Sequence, residues 1–420
     1  MNIYRRNLSN TIAQSLRHFP AVLILGARQV GKSTLVKQCV IEGKVEDYAT
    51  LDDANMLSAL KDDPDGFLSR YSGRLALDEI QRVPDLMRAL KKHIDADRQN
   101  GRFLLTGSAN VLAHPEVSES LAGRMDVILL EGLALNEILS QPSSPSLVEL
   151  LFTSDQSGNW IDALRLKLKQ VKSLEQSDLL PLILLGGYPN NITEHDFKFT
   201  QRWFSAYETS YIERDVRDLT KSIDMLPFRK LLYLCGLRTG NLLNIHQLGA
   251  DIGIDQRTAQ RYLGLLELTF QVRRLFPWFT NNQKQLVKTP KIYLNDSGYA
   301  CYMAGIHATE QLRNSPLLGS FVETWVFAEL RKQFHHCPGL QAYFFRTHQG
   351  HEVDFVLNYG LQQCGIEVKW SSQIDKKDIE KLKRWQDLNT EPTRAIILYT
   401  GHEVVAFSDT LVAIPFSVLG

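Results

Sequence analysis

The sequence has few cysteines and no pattern among them that would bind zinc or form a disulfide framework. Its five cysteines, Cys39, Cys235, Cys301, Cys337 and Cys364, are scattered along 420 residues without a CxxC pair. This distribution argues against a small disulfide-stabilised domain and against a zinc ribbon, and it fits a reducing compartment. We therefore expect a cytoplasmic protein.

Excess charge and long apolar runs are also absent. Lys plus Arg and Asp plus Glu both total 47, so no global basic field indicates a nucleic-acid partner, although a local basic face remains compatible with the sequence. No run reaches the roughly 18 apolar residues of a membrane span, and the N-terminal MNIYRRNLSN lacks the apolar core of a signal peptide. We expect no membrane segment.

A glycine-rich loop is the strongest motif present. The apolar run Ala21 to Leu25 predicts a buried strand, and GARQVGKST follows it at once, before a helical stretch. Glycines let backbone N–H groups surround phosphate oxygens, the lysine adds a positive charge, and the first hydroxyl ligates Mg²⁺. The predicted nucleotide-binding residues are Gly26, Ala27, Arg28, Gln29, Val30, Gly31, Lys32, Ser33 and Thr34.

Two further apolar segments end in polar residues. RLALDE predicts a strand that ends in two carboxylates, and the carboxyl ends of strands in a parallel sheet face the ligand crevice. Asp78 would hold the magnesium hydration shell, and Glu79 would orient and deprotonate the attacking water. FLLTGSAN predicts another strand, with Ser108 the first choice for a contact to the γ-phosphate or the water, ahead of Thr106 and Asn110.

Arg124 follows these segments in the motif LAGR. A guanidinium at this point could reach a γ-phosphate in the same subunit or in a neighbouring one, and such an arginine can speed hydrolysis. An ordinary surface arginine fits the spacing equally well. Additional strands are predicted at Tyr48–Leu51 and Asp126–Leu130, so we expect a parallel sheet with helices on both faces.

These motifs, in this order, resemble the bacterial and archaeal AAA+ ATPases that carry a C-terminal domain of unknown function. The resemblance rests on four segments of the N-terminal third, GARQVGKST, LALDEIQRVPDL, LLTGSAN and ESLAGR. It continues further along the chain in GGYP, YIERDV, KIYLNDSG, EVDFV and IEVK. The resemblance implies that Gly31, Lys32 and Ser33 form Walker A and that Asp78 and Glu79 form Walker B. It also implies that Ser108 is sensor 1 and that Arg124 is the candidate arginine finger.

The middle of the chain contains a second kind of pattern. Residues 138–160, rich in Ser and Pro, predict a loop or insertion, and a helix with alternating Leu and Lys or Arg follows it. We interpret that helix as a solvated face in preference to a phosphate-binding one. The resemblance implies that the helical region at residues 205–219 forms a lid over the nucleotide. Arg214 either reaches phosphate from there or, as we favour, pairs with Asp218.

Residues 225–298 predict a winged-helix arrangement. Ile245 to Ile252 forms one amphipathic helix, Asp255 caps a second, and two apolar-rich strands follow around a turn at Asn281-Asn282. Such a module either places its second helix in a major groove or serves only for protein contacts. The residues available for nucleic acid are Gln256, Arg257, Gln260, Arg261, Arg273, Arg274 and Lys284.

The C-terminal third carries a pattern of acidic and basic residues on predicted strands. Asp354 lies on one strand of a predicted hairpin, and Glu367 and Lys369 lie on one face of the next. With Glu323 on a preceding helix, they resemble a PD-(D/E)xK nuclease core, which implies a restriction-endonuclease-like fold. Asp354 and Glu367 would bind Mg²⁺ and Lys369 would position the water. An inactive domain that keeps the fold is the other interpretation. His335-His336-Cys337 lacks metal-ligand spacing and predicts a loop.

We therefore expect an α/β protein in which a parallel AAA+ sheet precedes a helical lid, a winged helix and a C-terminal α/β endonuclease-like domain. The predicted boundaries are 1–137, 138–224, 225–298 and 299–420. The expected cofactors are ATP and Mg²⁺, the expected assembly is a homo-oligomer, and DNA or RNA is a candidate partner. Either ATP turnover gates a nuclease, or the chain is an ATP-dependent switch or scaffold that binds a partner protein.

Overall fold

The computed structural model describes residues 3–83, 85–108, 123–141, 145–152, 160–212, 216–217, 220, 223–278, 288–389 and 393–420, without the side chains of residues 211 and 212. The described chain forms two compact units. The first comprises Met1–Leu133, Tyr207–Ser222 and Leu265–Gln271, and the second comprises Ala134–Ala206, Ile223–Gly264 and Val272–Gly420. No described helix is both long and apolar enough to cross a membrane.

A five-stranded parallel sheet forms the centre of the first unit. Its strands are β1 (Ala21–Leu25), β2 (Asp47–Thr50), β3 (Leu75–Asp78), β4 (Phe103–Gly107) and β5 (Met125–Leu129), in the order β2-β3-β4-β1-β5. Every residue of β1, β3 and β4 is buried. Continuous apolar runs of this kind are typical of parallel strands covered on both faces. The predicted parallel sheet is confirmed.

Helices alternate with these strands along the chain. They span Leu8–His18, Lys32–Ile41, Ala54–Asp62, Pro64–Ser69 and Leu86–Ala96, with a short 3₁₀ turn at Ile80–Arg82. Leu25 pairs with Gly107 and Thr50 pairs with Asp78 in the sheet register. The carboxyl ends of the central strands therefore meet at one edge, where the glycine-rich loop also begins.

The second unit begins with helices that pack beside its sheets. They span Leu135–Ile138, Leu147–Phe152, Trp160–Gln170, Gln176–Leu185, Pro189–Glu194 and Phe197–Tyr207. The π-helical turn that follows, Glu208–Ile212, belongs to the first unit. The helix Leu147–Phe152 contradicts the loop predicted for residues 138–160. Burial of apolar side chains explains this helix, because their exposure to water would be unfavourable. The buried residues are Leu147, Val148, Leu150, Leu151 and Phe152.

The solvated face predicted for the next helix, Trp160–Gln170, is wrong at one residue. Lys167 is buried and its Nζ donates a hydrogen bond to the carbonyl oxygen of Pro145 at 2.9 Å. Burial lowers the pKa of Lys167 to about 8. The predicted lid region is helical where it is described, because the α-helix Phe197–Tyr207 continues as the π-helical turn Glu208–Ile212. Its role as a lid stays a prediction.

A small sheet with three helices occupies the middle of this unit. The helices are Met225–Leu237, Ile245–Ile252 and Gln256–Leu268, and the strands are β6 (Asn241–Leu242), β7 (Val272–Leu275) and β8 (Lys291–Leu294), ordered β6-β8-β7. The helix Ile245–Ile252 and the β7–β8 antiparallel pair are confirmed. Asp255 caps the following helix as predicted, because its carboxylate accepts hydrogen bonds from the Thr258 backbone at 3.0 Å and hydroxyl at 2.6 Å.

A six-stranded mixed sheet completes the unit. Its strands are β9 (Gln341–Arg346), β10 (Glu352–Tyr359), β11 (Gln362–Val368), β12 (Thr393–Tyr399), β13 (Val405–Ser408) and β14 (Leu411–Pro415), ordered β13-β14-β12-β11-β10-β9. The accompanying helices are Ser297–Met303, Thr309–Arg313, Leu318–Arg331 and Lys376–Asp387, with 3₁₀ turns at Phe334–His336 and Phe416–Leu419. The predicted β10–β11 hairpin is confirmed.

The sequence predicts four domains, whereas the described chain forms two compact units, so only some of the predicted boundaries can be compared with them. The boundaries after residues 137 and 224 lie close to points where the chain passes from one unit to the other, after Leu133 and Ser222. The boundary after residue 298 lies inside the second unit. The four-part division therefore stays a prediction.

Candidate functional site

The glycine-rich loop connects β1 to the helix Lys32–Ile41. Gly31, at φ 98°, occupies the N-cap position of that helix in a left-handed conformation that favours glycine. The Nζ atom of the buried Lys32 donates to the carbonyl oxygens of Gly26 at 3.0 Å and Ala27 at 2.8 Å. The lysine charge therefore lies within the loop whose N–H groups would surround a phosphate.

A buried arginine far away in sequence supports this loop. The guanidinium of Arg6 donates to the carbonyl oxygens of Val30 at 2.8 Å, Glu131 at 2.7 Å and Gly132 at 3.2 Å. It joins the loop to the segment that follows β5. Sequence reasoning missed Arg6, and no local motif around it could have indicated the role.

The carboxylate of Asp78 is held at the end of β3 by two hydroxyl groups. Tyr48 donates to Oδ2 at 2.8 Å, and Thr106 donates to Oδ1. Burial and the charge of Asp78 raise the pKa of Tyr48 well above its usual range, so this phenol remains a donor. Asp78 is itself buried. Thr106, a second choice in the sequence analysis, thus donates to Asp78, and its contact to the γ-phosphate or the water stays a prediction.

Glu79, Gln81 and Ser108 form one hydrogen-bonded group. The Gln81 side-chain amide donates to Glu79 Oε2 and to the Ser108 hydroxyl at 2.8 Å, while the Ser108 backbone N–H donates to Gln81 Oε1 at 3.3 Å. The Glu79 backbone N–H donates to Thr106 Oγ1 at 3.1 Å. The structure therefore brings together the predicted base and the predicted sensor through a glutamine that sequence reasoning missed.

Arg124 lies in an ion pair with Asp95 of the helix Leu86–Ala96. Its Nε and one terminal nitrogen lie 2.6 and 3.1 Å from the two carboxylate oxygens. The guanidinium holds the pKa of Asp95 below its ordinary value. The two groups are exposed enough that such a pair contributes little to stability. Arg124 thus has a partner within its own unit, and its role as an arginine finger stays a prediction.

The predicted C-terminal residues lie close to one another at the paired strands β10 and β11. Asp354 Oδ2 accepts a hydrogen bond from the Val368 backbone N–H at 2.8 Å, which ties β10 to the end of β11. Burial and the charge of Asp354 raise the pKa of Glu367 to about 7. Burial and the charge of Asp354 also raise the pKa of Glu323 to about 7. Asp354 therefore lies close enough to affect both glutamates.

Basic side chains accompany these carboxylates. Lys381 Nζ lies 2.6 Å and Lys369 Nζ 3.2 Å from Glu367 Oε1, and Lys369 also pairs with Asp378 at 2.9 Å. Burial opposes the charged form of Lys369, but Asp378 and Glu367 raise its pKa overall. Glu367 Oε2 is buried with no hydrogen-bond partner. In the described part of the chain, no group of three or more His, Cys, Asp and Glu side chains is arranged to hold a metal.

Comparisons with known proteins agree with the nucleotide-binding half. Residues 18–139 match the model of an AAA domain, and residues 176–310 and 318–419 match two domains of unknown function, DUF8612 and DUF4143. The uncharacterized protein Rv2008c of Mycobacterium tuberculosis H37Rv is 30% identical over 416 residues, covering 99% of this chain and 84% of that protein. The chain belongs to an AAA-type P-loop ATPase family.

Solved structures resemble this AAA-type chain only distantly. The Walker-type ATPase PABY2304 of Pyrococcus abyssi is 13% identical, covers 72% of this chain and 96% of its own, and gives a TM-score of 0.43. The Thermotoga maritima RuvB Holliday junction branch migration motor is 16% identical, covers 64% of this chain and 88% of its own, and gives 0.29. At these scores the family assignment depends on the domain match and the mycobacterial relative.

Several residues of the AAA-type ATPase were not foreseen. They include Tyr48 and Gln81 at the nucleotide site and Lys291, Tyr293, Glu352, Asp378 and Lys381 at the C-terminal cluster. Strand alternation was an available signal for Glu352, because it lies two residues before Asp354 on β10. The others come from distant elements. Asn110, Arg214, Asp218 and Lys284 lie outside the described residues.

Proposed function

We propose that this AAA-type ATPase binds ATP with Mg²⁺ at the glycine-rich loop and hydrolyses the γ-phosphate. The observation that carries the proposal is the grouping of Lys32, Asp78, Glu79 and Ser108 at one edge of the parallel sheet. Gly26 to Thr34 would surround the phosphates, and Lys32 would bring its ammonium to the β- and γ-phosphates. Lys32 Nζ lies 2.8 Å from the Ala27 carbonyl oxygen, within the loop that would surround the phosphates.

Hard oxygen donors are present for magnesium. Ser33 lies in the first turn of the helix Lys32–Ile41, and the Asp78 carboxylate is held in place by Tyr48 and Thr106. Oxygen ligands of this type fit Mg²⁺, which keeps several of its waters in such sites. The bound ion would neutralise charge on the phosphate oxygens.

The chemistry proposed for Glu79 is proton abstraction. A water oxygen forms a bond to the γ-phosphorus, its proton passes to the Glu79 carboxylate, and the bond from the γ-phosphorus to the bridging oxygen breaks, leaving ADP and phosphate. Ser108 would orient the water or contact the γ-phosphate. Arg124 would stabilise the transferring phosphoryl group in a neighbouring subunit of a homo-oligomer, after leaving Asp95.

Steady-state ATPase kinetics of Glu79→Gln tests this proposal. The substitution keeps the size of the side chain and removes the base, so we expect kcat to fall by about 10²–10³ while ATP binding persists. Lys32→Ala should weaken ATP binding itself. Unchanged kcat in Glu79→Gln would refute the assigned base, and hydrolysis that continues in EDTA would refute the magnesium requirement.

A second activity is supported by the C-terminal cluster. The order of elements matches the nuclease-like core expected from the sequence. It runs from the helix Leu318–Arg331 through strands β9 to β11 and the helix Lys376–Asp387 to β12. Asp354, Glu367 and Lys369 converge there, and the unsatisfied Glu367 Oε2 fits a divalent cation. We propose that this domain acts on nucleic acid under the control of ATP turnover.

The middle region would contribute nucleic-acid binding. Its order of helices and strands supports a winged helix. The helix Gln256–Leu268 exposes four polar side chains, Gln256, Arg257, Gln260 and Arg261. Incubation with plasmid DNA and with RNA, in Mn²⁺ and with or without ATP, tests the whole proposal. Cleavage should disappear in Asp354→Asn and Lys369→Ala. No cleavage and no salt-dependent DNA binding would favour the alternative, an ATP-dependent switch or scaffold for a partner protein.

A further inference from the structure

Lys291 is a buried lysine to which the proposed chemistry assigns no role. It begins β8, the central strand of the three-stranded sheet, and only 3% of its side chain is exposed. Its Nζ lies 2.8 Å from Glu323 Oε1 and 2.6 Å from Glu352 Oε1. One ammonium therefore bridges a carboxylate of the helix Leu318–Arg331 and a carboxylate of β10.

The position of this ammonium is fixed by neighbouring contacts. Tyr293, on the same face of β8, donates its hydroxyl to Glu323 Oε1, and the Phe344 ring lies 5.6 Å from Lys291 Nζ. The segment after β7 joins β9, because Trp278 N donates to Phe344 O at 2.6 Å and Phe344 N donates to Phe276 O at 3.1 Å. The small sheet and the mixed sheet thus hold Lys291 against the acidic cluster.

The acidic cluster divides into two halves with different charge compensation. In one half, Lys291 bridges Glu323 and Glu352, and Arg346 lies 3.2 Å from the other Glu352 oxygen. In the other half, Lys381 and Lys369 both approach Glu367 Oε1, while Glu367 Oε2 is buried without a hydrogen-bond partner. Only the half formed by Asp354 and Glu367 therefore leaves a buried carboxylate oxygen available to a cation.

We propose that Lys291 is a positioning residue that takes the place of a second divalent cation beside Glu323 and Glu352. The C-terminal cluster then binds one divalent cation, on Asp354 and Glu367. This inference rests on the metal site proposed above. Two-metal phosphoryl-transfer sites hold their ions about 3.5–4 Å apart. An ammonium within hydrogen-bond distance of both glutamates repels a second dication at that spacing, and its burial limits screening by solvent.

The number of bound Mn²⁺ ions tests this inference. The full chain would carry Asp78→Asn in every sample and no nucleotide, so that the P-loop contributes no ion, and free Mn²⁺ would be measured by electron paramagnetic resonance. The parent should bind one Mn²⁺, which Asp354→Asn removes. Lys291→Met should bind a second ion, and Lys291→Met/Glu323→Gln should return to one. Lys291→Arg, which retains the charge, is the matched control and should bind one.

Each result bears on a distinct claim. Two ions in the parent, both lost in Asp354→Asn, would overturn the role of Lys291 even if Lys291→Met does not fold. A folded Lys291→Met that binds the same number as the parent would also overturn it, as would no Mn²⁺ in either protein. No ion in the parent but a Glu323-dependent ion in Lys291→Met would support the role of Lys291 and refute the proposed metal site on Asp354 and Glu367.

Discussion

Glu79 adopts a left-handed backbone conformation, with φ 63° and ψ 47°, directly after β3. Non-glycine residues take this conformation at a cost of about 1–3 kcal/mol, and such residues cluster at functional sites. Here the hydrogen bond from Glu79 N to Thr106 Oγ1 compensates part of that cost. The turn directs the carboxylate of Glu79 towards Gln81 and Ser108, away from Asp78, so two adjacent acids receive separate partners.

Gln81 should be a positioning residue for ATP hydrolysis. Its amide group joins Glu79 to Ser108, so Gln81→Ala would free both side chains while leaving the phosphate loop intact. We expect kcat to fall about tenfold with the KM for ATP changed less than about twofold. Gln38→Ala is the matched control, because Gln38 is partly exposed and its side-chain amide donates to Glu42 on the same helix, away from Glu79 and Ser108. Equal kcat values for Gln81→Ala and Gln38→Ala would contradict the assignment.

The buried Glu367 should make stability depend on pH. Asp354 from β10, Lys369 beyond β11 and Lys381 from the adjacent helix face this carboxyl, and burial raises its pKa from 4.5 to about 7. The folded state therefore binds a proton that the unfolded state releases between those values. Stability from this group is present below about pH 4.5 and is lost as pH rises through about 7.

Chemical denaturation at pH 5 and pH 8 measures this dependence. Glu367→Gln should reduce the loss of unfolding free energy between the two pH values by on the order of 1–3 kcal/mol, because its amide does not ionise. Glu380→Gln provides the control, since Glu380 is exposed on the helix Lys376–Asp387. If the two variants lose the same free energy from pH 5 to pH 8, the buried carboxyl is not the cause.

The phosphate loop depends on close packing between elements. Gly26 lies at φ 156°, and a Cβ atom added there would be 2.1 Å from the carbonyl oxygen of Leu130, in the segment that follows β5. A glycine is thus required at the beginning of the loop by the neighbouring chain as well as by phosphate binding. Arg6 connects the same two segments from the opposite end of the loop.

Arg6→Ala should loosen this connection between elements. It removes hydrogen bonds from a charged donor to Val30, Glu131 and Gly132, so we expect a loss of about 2–4 kcal/mol in stability. ATP binding should weaken with it. Thermal unfolding and nucleotide titration measure both effects. Arg5→Ala, at the exposed neighbouring position, should change neither, and equal effects of the two substitutions would refute the role of Arg6.

At the scale of the whole molecule, Arg124 pairs with Asp95 of its own chain. The arginine-finger prediction therefore concerns an assembly of several chains. If Arg124 acts in a neighbouring subunit, a site needs Glu79 from one chain and Arg124 from another. Arg124→Ala and Glu79→Gln should each be nearly inactive alone. Mixed together, they should regain on the order of a quarter of wild-type ATPase activity, because some sites combine an intact Glu79 with an intact Arg124.

The same mixing experiment has a clear control. Asp95→Ala removes the partner of Arg124 in its own unit without removing the guanidinium, so its ATPase activity should be retained or increased. Full activity of Arg124→Ala alone at low protein concentration would contradict the finger. A mixture as inactive as its components at every ratio would contradict action between subunits.

The sequence by itself determined the features that depend on neighbouring residues. The glycine-rich loop, the buried strands, the cap at Asp255 and the β10–β11 hairpin follow from apolar runs, spacing and local hydrogen bonding. It also indicated Asp78, Glu79 and Ser108, because carboxyl ends of parallel strands meet at one edge. The helix Leu147–Phe152 was mispredicted, since composition around it favoured a loop and tertiary burial decided otherwise.

Only the tertiary structure decided which side chains complete each site. Arg6 reaches Glu131, Gln81 reaches Ser108, and Lys291 reaches Glu323 and Glu352 across long separations in the chain. No local periodicity encodes such pairs, because a polar side chain is directed by the packing of the elements that carry it. Buried charge makes these pairs specific, since a carboxylate or ammonium removed from water requires a partner that only the assembled fold provides.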